Sequence, residues 1–68
     1  EINPKYIDAY INLGVREYEA GNFENEVAIY RQAIKNCSPD AGLYNNLGRA
    51  LYDLKRFKEA AEAYRPPQ

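Results

Sequence analysis

The chain has 68 residues, 46% of them hydrophobic and 28% charged, with a formal net charge of −1, no histidine and a single cysteine. That apolar share suits a folded domain rather than a disordered tail, although a chain of this size lies near the lower limit for a self-sufficient core. The near-neutral charge offers no basic field to a phosphate backbone. The apolar runs fall far short of the roughly 20 residues that span a bilayer, and one cysteine excludes an internal disulfide or a cysteine-rich zinc site.

Asn3-Pro4-Lys5 reads as the opening of a first helix, a capping side chain followed by proline at the first helical position, where its missing N–H costs nothing. Tyr10, Leu13, Gly14 and Tyr18 then line one helical face. Ala20-Gly21-Asn22 should end this helix on a left-handed glycine and cap the next one with asparagine. The second helix carries Phe23, Val27, Tyr30, Ala33 and Ile34. Ser38-Pro39-Asp40 repeats the opening signal, with Ser38 as the cap and Pro39 as the first helical residue. A third helix follows through Tyr44, Leu47, Gly48, Leu51 and Tyr52. Leu54-Lys55-Arg56 occupies the next turn without glycine or asparagine, so this bend should be less sharply defined. Phe57, Ala60, Ala61 and Tyr64 mark a fourth helix, stopped by Arg65-Pro66-Pro67.

The four helices form two copies of one unit. "YINLG" at 10–14 returns as "YNNLG" at 44–48, and the same offset of 34 residues matches Tyr18 to Tyr52, Phe23 to Phe57 and Tyr30 to Tyr64. A period of this size signals a solenoid, in which each helical hairpin buries its apolar face by stacking on a neighbour. Gly14 and Gly48 stand inside helices at a cost of about 1 kcal/mol each relative to alanine, which close approach of the paired helix would offset. Core packing is the expected role for most of the seven tyrosines. Cys37 is read either as a small residue at a helix end or as a reactive surface thiol.

Tyr44-x2-Leu47-Gly48-x2-Leu51, with Ala60-x3-Tyr64 behind it, resembles the tetratricopeptide repeat, and the likeness covers nearly the whole chain. The resemblance implies an all-α fold of two antiparallel helical hairpins, a fragment of a right-handed superhelix. The expected division is one domain over 1–68. Within it, 1–6 is the end of a preceding repeat or a lead-in, 7–40 the first repeat and 41–68 a truncated second. The first repeat departs from the pattern at Glu17, where an aromatic is usual, and at Glu26, where a small alanine is usual. Pro39 also stands one residue closer to Tyr44 than Pro4 does to Tyr10, so the first hairpin is expected to splay slightly or shift its second helix. Both acids are expected to reach outward or to pair with Arg16, Arg49 or a lysine.

In this family the first helix of each unit lines a concave groove that holds a peptide or a helix of another protein. Carried onto this chain, the groove residues are Asp8, Ile11, Asn12, Val15 and Glu19 in the first hairpin and Asn45, Asn46, Arg49, Tyr52 and Asp53 in the second. Asn12 and Asn46 are read either as a ladder of amides for a peptide backbone or as family-typical residues facing water. The cationic clamp of chaperone-binding members is not visible, because Ile11, Val15 and Gly42 stand at its positions. Ile11 and Val15 suit a partner with apolar anchors instead.

The expected function is therefore protein or peptide binding, with no catalysis, cofactor or metal, no nucleic acid and no membrane insertion. The stop at Arg65-Pro66-Pro67 suggests an excised or truncated segment with an open apolar face. Two other readings follow: a self-assembling scaffold that forms homo-oligomers through this uncapped end, and a regulatory repeat segment of a larger enzyme or transport component. Without a legible secretory signal, an intracellular location is the default.

Overall fold

The computed structural model describes residues 4–37 and 40–64, and within these it holds four helices and no strand: α1 Pro4–Glu19, α2 Phe23–Asn36, α3 Ala41–Asp53 and α4 Phe57–Tyr64. The expected signals at Asn3, Ser38, Pro39 and Arg65 to Pro67 lie outside the described residues. Proline 4 is the first residue of α1, as its fixed φ favours. At α3 the start differs from expectation. Asp40 is the N-cap, its Oδ1 accepting from the Leu43 N–H at 3.1 Å, so Ala41 rather than Pro39 opens the helix. An aspartate caps as well as a serine and adds a charge that favours a helix N-terminus.

Both hairpins turn in the same way. After α1, the Asn22 N–H donates to the Glu17 carbonyl at 2.8 Å and the Gly21 N–H to the Tyr18 carbonyl at 3.0 Å, while Gly21 takes a φ of +81°. After α3, the Arg56 N–H donates to the Leu51 carbonyl at 2.9 Å and the Lys55 N–H to the Tyr52 carbonyl at 2.8 Å, with Lys55 at a φ of +62°. These are two Schellman motifs. The second bend is thus as well defined as the first, because two satisfied helix-end carbonyls outweigh the roughly 1–2 kcal/mol that a left-handed lysine costs. Lys55→Gly should relieve that strain and raise stability by about 0.5–1 kcal/mol, read as a higher urea midpoint at unchanged slope.

Asn22 sits at the N-cap of α2 without capping it. Its Nδ2 donates instead to Glu17 Oε1 at 3.1 Å, and Asn25 Nδ2 donates to the same oxygen at 3.1 Å. Glu17 therefore ties the end of α1 to the start of α2 rather than forcing them apart. α1 packs along α2, as α3 packs along α4.

α2 packs against both α1 and α3 and joins the two hairpins; α1 also touches α3, so the first helices of the units lie side by side. Val27, Tyr30 and Ala33 of α2 meet Leu43, Leu47 and Ala50 of α3 in one core with Leu51, Ala60 and Ala63. Burying Leu43 and Leu51 contributes about 2 kcal/mol each. Leu43 and Ala50 were absent from the expected stripe because they lie on the side of α3 that meets the neighbouring unit. The same side of α1 is open among the described residues: Leu13 is 49% exposed, whereas Leu47, its counterpart 34 residues on, is 7% exposed.

The tyrosines depart from expectation. Only Tyr30 is fully buried; Tyr6, Tyr18, Tyr52 and Tyr64 are exposed. Tyr18 meets Phe23 with ring centroids 5.8 Å apart and Tyr52 meets Phe57 at 5.0 Å, so each pair braces its own turn. The two helical glycines do mark close approach. The ring of Tyr30 lies against Gly14 and that of Tyr64 against Gly48, leaving no room for a Cβ.

Candidate functional site

The sequence-derived groove residues fall on the two adjacent helices α1 and α3. Asp8, Asn12, Glu19, Asn45, Tyr52 and Asp53 are exposed, while Ile11, Val15, Asn46 and Arg49 are half-buried. Ile11 packs against the core. Asn12 and Asn46 hold the same place in consecutive repeats, just before the Leu-Gly pair of each unit.

Arg49 is the most constrained of the ten. Its guanidinium donates to Glu26 Oε2 at 2.5 Å and lies 4.6 Å from the centroid of the Tyr18 ring. Glu26 projects from α2 and is 0% exposed, so the pair bridges the second helix of one repeat and the first helix of the next. Of the alternatives open to this acid, pairing with Arg49 is the one realised, and it does not reach outward. The alanine usual at this place would leave Arg49 without a partner.

Burial pushes the Glu26 carboxyl above its ordinary range; Arg49 pulls it back and the charge of Asp53 adds to the rise. Tyr30, one turn further along α2, is pushed up to about 12 by burial and by the Glu26 charge. Glu26 Oε1, the Tyr30 hydroxyl and Arg49 Nε have no hydrogen-bond partner among the described residues. Sequence reasoning offered this pairing as one alternative; what it missed is that the joint is buried and ties the two repeats together. Its one legible signal was an acid at a place where packing requires a small side chain.

Among the described residues, cavities lie elsewhere. One of about 460 Å³ follows the open edge of α1, between Tyr6, Ala9, Tyr10 and Leu13 on one side and Asn36 and Cys37 on the other. The Tyr10 hydroxyl accepts from Asn36 Nδ2 there at 3.2 Å. The second, about 260 Å³, lies between the two turns beside Phe23 and Leu54. Neither includes any of the ten groove residues. Among the described residues no cluster of ligating side chains could hold a metal ion, and no helix is long and apolar enough to cross a membrane.

Two hairpins in tandem, each turning through the same motif and stacked through the second helix of the first, define a helical repeat protein. The family model of the tetratricopeptide repeat matches residues 7–35 and 41–66, and the chain belongs to that family. It is also 33% identical over 63 residues to the protein O-mannosyl-transferase Tmtc3 of Drosophila melanogaster, a match covering 93% of this chain and 7% of that protein. The chain thus corresponds to a small part of that relative's length. No solved structure matches it.

Proposed function

We propose that the face formed by α1 and α3 binds an extended peptide segment of a partner protein, with Asn12 and Asn46 hydrogen-bonding its backbone and Ile11 and Val15 receiving apolar side chains. The observation that carries this reading is that the two amides recur at the same place in two helices that touch. An amide offers donor and acceptor together, which suits a peptide backbone whatever its side chains. The remaining groove residues, Asp8, Glu19, Asn45, Arg49, Tyr52 and Asp53, flank that pair. Replacing both Asn12 and Asn46 by alanine should weaken a bound peptide by about 2 kcal/mol, roughly 30-fold, with helicity by circular dichroism unchanged. Affinity equal to that of the parent chain would rule out backbone capture by the amides.

The Tmtc3 relative supports a second reading, in which this repeat pair is a non-catalytic, protein-holding segment of a larger transferase. The chain added in trans should then compete for that enzyme's protein acceptors; an unchanged transfer rate at saturating chain would count against it.

A further inference from the structure

We propose that the α1–α3 face takes a cationic peptide segment, one that sets lysine or arginine against Asp8, Glu19 and Asp53; this rests on the peptide-binding reading above and names its partner class. In sequence the face looks mixed in charge, three acids and one arginine. The fold removes the arginine from that balance, since Arg49 is paired with the fully buried Glu26 and covered on one side by Tyr18. Asp8, Glu19 and Asp53 stay exposed and make no ion pair among the described residues. Arg16, exposed on α1 three residues before Glu19 and without an ion pair among the described residues, offsets one of these charges. The remaining excess of carboxylate along two touching helices favours a partner of opposite sign and disfavours an acidic tail.

An independent observation points the same way. The chain already seats a guanidinium on the ring of Tyr18, 4.6 Å from its centroid. Tyr52 holds the corresponding place in the second repeat, beside Asp53, and is 59% exposed. A partner's lysine or arginine can lie on that ring while pairing with the neighbouring carboxylate. The cations that follow in sequence belong to the turn and to α4. Arg56 is engaged with Glu24 at 3.6 Å, while Lys55 lies in the turn after α3 and Lys58 in α4. The partner's charges are therefore expected to extend from Asp53 back across α1.

The test uses the whole chain and three fluorescent peptides of equal length, alternating leucine with lysine, glutamate or serine, followed by anisotropy at low and high salt. The lysine peptide should bind at least about tenfold more tightly than the glutamate peptide and lose most of that advantage at high salt. It should also weaken about tenfold in the combined variant Asp8→Asn, Glu19→Gln, Asp53→Asn, with helicity unchanged. If all three peptides bind alike and all weaken in the Asn12→Ala, Asn46→Ala variant, backbone capture stands and the cationic preference is wrong. Lysine-peptide binding that the carboxylate variant leaves intact would also overturn it. No binding by any of the three sinks both readings.

Discussion

Arg49→Ala should destabilise the chain by about 3 kcal/mol at neutral pH, because it leaves the Glu26 carboxylate buried with no counter-charge. A fold of this size has roughly 5 kcal/mol of stability or less, so the variant should be partly unfolded at room temperature. The sign of its pH dependence follows from Glu26. Burial raises the folded-state pKa of this group above its unfolded value. Such a group favours the folded state while it is protonated, at low pH, and that contribution is lost as pH rises through the folded pKa. Without Arg49 the carboxyl is raised further, so the loss should be large at neutral pH and shrink on acidification towards pH values where Glu26 is protonated. Urea denaturation of both proteins at neutral and mildly acidic pH measures this; a difference that does not vary with pH would show that Arg49 acts through packing on Tyr18 alone.

The chain itself supplies the control. Shifting by one repeat places Ala60 at the position of Glu26 and Val15 at that of Arg49. Replacing the pair by those residues, Glu26→Ala with Arg49→Val, removes both charges and the orphaned carboxylate oxygen together. Exchanging a buried ion pair for apolar side chains is commonly neutral or stabilising. The double variant should therefore be at least as stable as the parent, and far more stable than Arg49→Ala.

What the sequence made legible divides along the repeat. The period of 34, the four helices and the left-handed Gly21 were readable because each rests on local chemistry: helical spacing, or a glycine where no other residue adopts the angle cheaply. Lys55 misled because tertiary closure of the hairpin imposes the same bend on a residue that signals nothing. Leu43 and Ala50, and the full burial of Glu26, escaped for a related reason. They lie where one hairpin meets the next, and a helix read alone shows one apolar face, whereas a stacked helix buries two. Tyr18 and Tyr52 share the spacing of core residues yet remain exposed, since an aromatic ring beside a turn can stack on the phenylalanine across it and stay in water.

Gly14→Ala tests how far the two repeats, alike in sequence, differ in rigidity. A Cβ on Gly14 would fall within contact distance of the Tyr30 ring and 2.6 Å from its hydroxyl, and one on Gly48 would fall 2.6 Å from Cε1 of Tyr64. In sequence these are the same substitution. Tyr30, however, is 0% exposed, held between α1 and α3, whereas Tyr64 is 49% exposed at the end of α4 and can swing away. Overpacking against the fixed ring should cost about 3 kcal/mol, well beyond the roughly 1 kcal/mol that alanine gains over glycine in a helix, for a net loss near 2 kcal/mol. At Gly48 the ring yields and the helical preference prevails, so Gly48→Ala should be neutral or stabilising by up to about 1 kcal/mol. Thermal or urea unfolding of the two single variants decides it. Equal losses would mean that Tyr64 is as fixed as Tyr30. A double-mutant cycle of Gly14→Ala with Tyr30→Leu should recover part of the loss if ring contact is its cause, and none if the glycine serves the backbone alone.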